Sequence, residues 1–153
     1  MKIPKGVSPS QAAVATDAVT TAYHAIHRRS EIKKNEVVFL FGLGGLGFNA
    51  LQIIRAINAK VLVSDMKQEN LDEAFRIGVQ QEDIVPIRKG IQEWVKEKGW
   101  TGKIDVVADF VGTKQTFEDA QYIGVCSINV CMLMENAYFW QCDKGEECFA
   151  LAH

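Results

Sequence analysis

Short continuous apolar runs alternate along the chain with stretches in which apolar residues recur at helical spacing. The run at 37–41 is entirely β-branched, aromatic or aliphatic, which is typical of a strand buried on both faces of a parallel sheet. Gly42 ends this run, and from Gly45 to about Asn58 apolar positions recur every three or four residues, which predicts an amphipathic helix packed on the sheet. The same alternation predicts further strands at 60–65, 83–87 and 104–110, and further helices at 69–77, 89–97 and 114–122.

Two helices are predicted ahead of the first strand. Ser8 followed by Pro9 is typical of a helix start, with Ser8 as the cap and Pro9 at the first helical position, and this helix should reach about residue 16. A second helix is predicted over 18–29, with Asp17 as its N-cap residue. A polar link at 31–36 follows, with a turn at Asn35.

Strands that alternate with helices of this length predict right-handed βαβ units and an α/β fold with a doubly wound parallel sheet. The chain then divides into a helical lead-in at 1–30, a core at 31–123 and a tail at 124–153. The tail breaks the rhythm, although alternating apolar residues predict one more buried strand there; these are Ile128, Val130, Met132 and Met134. The remainder of the tail is left unassigned.

A GxGxxG pattern lies between the first strand and the helix that follows it. Gly42 allows a tight turn off the strand, Gly44 allows close approach of a pyrophosphate to the helix amino terminus, and Gly47 allows the helix to pack closely on the strand. Asp65 ends the next strand 23 residues after Gly42, and its carboxylate can accept hydrogen bonds from a ribose diol but repels a 2′-phosphate. The pattern therefore predicts a dinucleotide site that favours NAD over NADP.

Two other interpretations of the glycine loop stay open. The glycines can serve a turn whose only task is packing, or the loop can hold another nucleotide-like ligand such as S-adenosylmethionine. Leu46 fits the GxGxG loop that is usual in methyltransferases poorly.

Charge and composition exclude several classes of function. The 153 residues carry seventeen Lys and Arg against nineteen Asp and Glu, a net charge of −2, so the chain lacks the basic excess with which proteins bind nucleic acid. No apolar stretch approaches the roughly 20 residues of a membrane span, and no secretory signal is recognisable, so a cytoplasmic location is expected. The cysteines form no CxxC pair and are expected to be free or buried thiols; they are Cys126, Cys131, Cys142 and Cys148.

Several motifs occur together in a family-specific order. They are PKGVS at 4–8, ATDAVTTAYHA at 15–25, the glycine loop at 42–47, Asp65, and DFVG at 109–112. In this order they resemble the nucleotide-binding half of a zinc-type alcohol dehydrogenase of the medium-chain dehydrogenase/reductase family, over about residues 3–123. The resemblance implies a Rossmann-like core, NAD as cofactor, and hydride transfer between an alcohol and NAD.

The resemblance also implies roles for individual residues. Asp65 would bind the adenosine ribose with Lys67 beside it, Val111 and Gly112 would line the cofactor cleft, and Thr21 would lie near the nicotinamide. The pyrophosphate loop would consist of Gly42, Gly44, Gly45, Leu46 and Gly47.

Zinc is the least supported part of the resemblance. Asp17 stands where many members carry a cysteine ligand of the catalytic zinc, and some members use an aspartate there; the helix-capping role described above is the alternative. His24 and His27 lie three residues apart, but no third ligand converges on them in the sequence, so solvated or packed histidines are expected. Trp94 is expected in the core rather than in a substrate pocket.

Other parts of the family pattern are not recognisable. The family's amino-terminal catalytic domain and its later sheet strands are not found, so the chain is expected to be truncated at both ends, with an incomplete sheet. Two interpretations follow. The chain is the cofactor domain of an oxidoreductase acting on an alcohol or aldehyde, with the catalytic domain absent and this chain alone expected to be weakly active or inactive, or it is a non-catalytic NAD-binding module or inactive fragment. Substrate identity and oligomeric state are not predicted, although an oligomer is compatible with the family.

Overall fold

A computed structural model describes residues 2–124, 129–132, 138–141 and 149–152. Within these residues the strands form one sheet in the order β2-β1-β3-β4-β5-β6. The strands are β1 Val37–Phe41, β2 Lys60–Ser64, β3 Val106–Asp109, β4 Asn129–Met132, β5 Tyr138–Gln141 and β6 Phe149–Ala152.

The first three strands are parallel and end together. Phe41 pairs with Ser64 on β2 and with Asp109 on β3, so the carboxyl ends of all three strands lie at one edge of the sheet. Loops that follow parallel strands meet at this edge, where open α/β sheets bind their ligands. The register therefore brings together segments that are far apart in the sequence.

The tail adds strands of both directions. β4 pairs parallel with β3, whereas β5 and β6 continue the sheet antiparallel. The strand predicted from alternating apolar residues is confirmed over Asn129–Met132, while Ile128 and Met134 lie outside the described residues. Cys126, Cys142 and Cys148 also lie outside them, so the prediction for those thiols stays a prediction.

Helices cover both faces of the parallel strands, which confirms the doubly wound α/β fold. Side chains of β1 alternate between the faces: Val38 and Leu40 belong to one buried cluster, and Phe39 and Phe41 to the other. The helices that follow the strands are α3 Gly45–Ala56, α4 Gln68–Arg76, α5 Ile91–Glu97 and α6 Lys114–Ile123. The first cluster includes residues of α3 and α4, and the second includes residues of α5 and α6.

The lead-in is one uninterrupted helical run rather than two helices. It begins as predicted, because the Ser8 hydroxyl accepts from Gln11 N–H at 3.2 Å and the Gln11 side chain accepts from Ser8 N–H at 2.9 Å. The run continues through two π-helical segments; its parts are α1 Pro9–Val14, Ala15–Val19, α2 Thr20–Tyr23 and His24–Arg29.

The prediction of Asp17 as a helix cap is therefore wrong. Asp17 lies inside the run, with helical backbone on both sides, and makes no capping bond. The physical reason is tertiary: Ala22 and Ile26 are fully buried in the cluster that contains α3, which favours a continuous helix across this face.

The strand predicted at 83–87 is reduced to a single bridge. Val85 N–H donates to Val63 O at 2.9 Å, and Ile84 bridges Val63, but the neighbouring segment Gln81–Asp83 is 3₁₀-helical. Pro86 lacks the N–H that a longer ladder would need. The predicted strand is therefore wrong in extent, although the chain does lie against β2.

Candidate cofactor-binding site

The glycine loop leaves β1 at the edge where the three parallel strands end. Gly42 has φ of 81° and its N–H donates to Ser64 O at 2.8 Å. A Cβ at this position would lie 2.6 Å from Val111 Cγ2. Only glycine satisfies both the left-handed backbone and this close approach.

The amino terminus of α3 is open. Gly44 is its N-cap residue, and a Cβ added at Gly44 or Gly45 would meet no atom within 4 Å. The first backbone bond of the helix joins Phe48 N–H to Gly44 O at 2.8 Å. The N–H groups of Gly45, Leu46 and Gly47 therefore precede the helical ladder, at the positive end of the helix dipole. This arrangement can hold an anionic group such as a phosphate.

Gly47 has a different task from Gly44. It is buried on the side of α3 that faces the loop, where a Cβ would overlap the Gly42 carbonyl oxygen and lie 2.9 Å from its carbonyl carbon. The absence of a side chain lets α3 pack directly on the turn after β1, whereas the spacing predicted close packing on the strand itself.

Asp65 follows β2 and its carboxylate already has three donors. Its Oδ2 accepts from Leu43 N–H at 2.6 Å and from Asn70 Nδ2 at 3.1 Å, and its Oδ1 accepts from Lys67 N–H at 2.7 Å. Since each carboxylate oxygen offers about two lone pairs, Oδ1 retains one acceptor site. Lys67 is exposed and is the N-cap residue of α4, next to this carboxylate.

Val111 and Gly112 form the opposite wall of the loop. Val111 is 45% exposed, and Gly112 has φ of 70°. Asp109, at the end of β3, is fully buried, and its Oδ1 accepts from the N–H groups of Val111 at 2.8 Å and Gly112 at 3.1 Å. Its Oδ2 accepts from the Thr116 hydroxyl at 2.6 Å.

Sequence reasoning gave Asp109 no role of its own. The sequence did contain a signal for such a role, because Asp109 is an acidic residue near the end of a predicted strand and shortly before a predicted helix start. The structure confirms that start: Thr113 is the N-cap residue of α6, and its hydroxyl accepts from Thr116 N–H at 3.1 Å.

The remaining candidate residues lie on the lead-in. Thr21 is half-buried on α2, the helix that packs on α3 through Ala22, and its place near a nicotinamide stays a prediction. Asp17 and His24 are exposed, and the His27 ring lies edge-on against Tyr23, with centroids 4.9 Å apart. Among the described residues, no group of three or more His, Cys, Asp or Glu side chains could hold a metal ion.

Trp94 lies in the core, as predicted. It is 2% exposed, and its ring centroid lies 6.4 Å from that of Phe39 in an edge-on arrangement.

In the part of the chain that the structure describes, no helix is both long and apolar enough to cross a membrane.

Comparison with known proteins identifies relatives over most of the chain. The family model described as "Zinc-binding dehydrogenase" matches residues 45–124. An alcohol dehydrogenase from Geobacillus stearothermophilus is 31% identical over 136 residues, which cover 88% of this chain and 38% of the relative. An acryloyl-coenzyme A reductase from Sulfurisphaera tokodaii is 34% identical over 122 residues, which cover 78% of this chain and 34% of the relative.

A solved structure also matches. Acetophenone reductase from Geotrichum candidum in complex with NAD superposes with a TM-score of 0.69 at 32% identity, covering 85% of this chain and 35% of the other. The chain thus spans little more than a third of the length of these relatives.

Proposed function

The chain belongs to the zinc-binding dehydrogenase family, and we propose that it binds NAD(H) at the glycine loop for hydride transfer between an alcohol and the nicotinamide ring. The observation that carries the proposal is the open amino terminus of α3 beside the Asp65 carboxylate. The likeness to a reductase in complex with NAD, at 32% identity, supports the choice of cofactor. The likeness to an alcohol dehydrogenase supports the class of reaction.

The loop fits a pyrophosphate by shape and by charge. A Cβ added at Gly44 or Gly45 would meet no atom within 4 Å, and the first N–H groups of α3 can donate to phosphate oxygens placed there. α3 is twelve residues long, so its dipole presents a partial positive charge of about half an elementary charge at this end. The pyrophosphate would therefore bind through backbone groups of Gly44, Gly45, Leu46 and Gly47.

The Asp65 carboxylate favours NAD over NADP. The free acceptor site on Oδ1 can take a hydrogen bond from a ribose hydroxyl, and the bonds from Leu43 and Lys67 hold the carboxylate in place. The 2′-phosphate of NADP would bring a second anion against this carboxylate. We propose that Lys67 flanks the ribose and that Val111, Gly112 and Thr21 complete the cleft toward the nicotinamide.

The described residues do not fit a zinc site. Asp17 is exposed, and no second and third ligand converge on it within the described residues. When bound, NAD supplies the hydride acceptor, and the residues of this chain bind and orient it.

A titration of the purified 153-residue chain with NADH and with NADPH tests the proposal. We expect nicotinamide fluorescence to change on NADH binding, the unfolding temperature to rise, and NADPH to bind at least about tenfold more weakly. Equal binding of both cofactors would contradict the role of Asp65, and no binding of either would contradict the site itself.

A second assay separates hydride transfer from binding without turnover. NADH formation from NAD is followed with a panel of simple alcohols, with the chain at micromolar concentration. Alcohol-dependent NADH formation is the result expected of an oxidoreductase. NADH binding without any NADH formation would show that this chain by itself binds the cofactor without turnover.

A further inference from the structure

The fully buried Asp109 carboxylate is bonded to the turn beside the glycine loop. Its Oδ1 holds two consecutive backbone N–H groups, those of Val111 and Gly112, while its Oδ2 accepts from the Thr116 hydroxyl on α6. One side chain therefore joins the end of β3, the turn after it and the first turn of α6. These three donors stabilise the charge of the buried carboxylate.

The turn that Asp109 holds touches the glycine loop. A Cβ added at Gly42 would lie 2.6 Å from Val111 Cγ2. A Cβ added at Gly47 would lie 3.6 Å from Phe110 Cβ. A shift of this turn by even a fraction of an ångström would therefore move the wall against which the loop packs. Val111 is nevertheless 45% exposed, so its outer surface faces the open side of the site.

We infer that Asp109 and Thr116 act as a positioning pair that fixes Val111 against the glycine loop and thereby sets the width of the cofactor cleft. This inference rests on the proposed function, because its ligand is NADH. The Thr116 hydroxyl also accepts from Thr113 N–H at 3.0 Å, which closes the capping box of α6. Its proposed effect on the cleft passes through Asp109, and Asp109 acts through the backbone of Val111 and Gly112. Neither residue is assigned contact with the cofactor.

Thr116→Val and Thr116→Ser form the central comparison. Valine has nearly the shape of threonine but cannot donate to Asp109, whereas serine keeps the hydroxyl. We expect Thr116→Val to weaken NADH binding about tenfold, which requires that about 1.4 kcal/mol of the free energy of this hydrogen bond serve to hold the cleft in its binding geometry. Thr116→Ser should stay within about twofold of the unmodified chain.

Thr113→Val is the matched control for helix stability. It removes the hydroxyl that caps the same helix, but leaves the bond between Thr116 and Asp109 in place. We expect Thr113→Val to lower the unfolding temperature without weakening NADH binding more than about twofold. Equal losses of NADH affinity in Thr113→Val and Thr116→Val would mean that Thr116 acts only by stabilising α6. That result would overturn the inference.

Amide hydrogen exchange in the ligand-free chain makes the test independent of the cofactor. Thr116→Val should speed exchange at the Val111 and Gly112 N–H groups by about fivefold or more, while Thr113→Val should leave them nearly unchanged. Unchanged exchange in Thr116→Val would overturn the positioning role. Faster exchange in a chain that does not bind NADH would instead contradict the proposed function and leave the positioning of the turn supported.

Discussion

The Asp65 carboxylate accepts a hydrogen bond from the Leu43 N–H at 2.6 Å, which joins the end of β2 to the glycine loop after β1. Leu43 is 2% exposed and Asp65 is half-buried, so this bond is partly shielded from water. Asp65 therefore has two tasks: it is the candidate ribose acceptor, and it holds the loop that would bind the pyrophosphate. Substitution at Asp65 should affect both parts of the site together.

Asp65→Asn should weaken NADH binding by about 10- to 100-fold, because a hydrogen bond to a charged acceptor contributes about 1.5–3 kcal/mol. Asparagine has one acceptor oxygen, whereas Leu43 N–H and Lys67 N–H donate to different oxygens of Asp65. One of these two bonds is therefore lost and the loop is held less firmly, so NADPH binding should not rise to the level of NADH binding in the unmodified chain. Both affinities are measured by nicotinamide fluorescence. Asp72→Asn, at an exposed carboxylate on α4 bonded to Gln68, is the control and should leave both unchanged. Efficient NADPH binding by Asp65→Asn would contradict the second task.

Gly47→Ala and Gly44→Ala should separate packing from ligand approach. A Cβ at Gly47 overlaps the Gly42 carbonyl, so we expect a loss of about 3 kcal/mol or more in unfolding free energy. A Cβ at Gly44 meets nothing within 4 Å, and its φ of −69° suits alanine, so stability should change by less than about 1 kcal/mol. NADH binding should nevertheless fall in Gly44→Ala, because the methyl group occupies the space proposed for the pyrophosphate. Urea unfolding and NADH titration measure the two effects; an unchanged NADH affinity in Gly44→Ala would contradict the pyrophosphate position.

Ile26→Ala should show that the lead-in is part of the core. Ile26 is fully buried in the cluster shared with α3, and truncation of a buried isoleucine costs about 2–5 kcal/mol. Val14→Ala, at a side chain that is 58% exposed on the same helical run, should change stability by no more than about 0.5 kcal/mol. Equal effects of the two substitutions on chemical denaturation would mean that the lead-in does not pack on α3.

Hydrogen bonds from Lys89 to Glu97 and Glu93 hold the pKa of the Lys89 ammonium above its ordinary value of 10.5. Because the folded pKa is raised, the interaction stabilises the fold fully below the unfolded pKa and is lost as the pH rises through the folded pKa. Glu97→Gln should lower the Lys89 pKa, as measured by NMR titration of its side chain. Glu118→Gln, which removes the exposed partner of Lys114 instead, should leave the Lys89 pKa unchanged.

Local sequence signals predicted most of the elements and the glycine part of the site. The strand at Val37–Phe41 and the helix start at Gly45 agree with the prediction, because a continuous apolar run, a glycine stop and helical periodicity are properties of neighbouring residues. The helix starts at Ser8 and Thr113 follow from side chains that bond within their own first turn.

One error arises where distant contacts overrule local preference, and the other where a proline within the segment limits the strand. Asp17 is a good capping residue by type. The helical run nevertheless continues through Asp17, because Ala22 and Ile26 are buried against α3. The segment at 83–87 has strand character, yet Pro86 and the 3₁₀ turn before it leave one bridge to β2.

The sequence by itself determined the α/β alternation, the glycine spacing and the position of Asp65, because periodicity, turn chemistry and motif spacing depend on residues near one another in the chain. Only the tertiary structure decided that Asp65 bonds to Leu43, and that Asp109 holds the turn beside Gly42. These contacts depend on the register that aligns the ends of β1, β2 and β3, which no local pattern encodes.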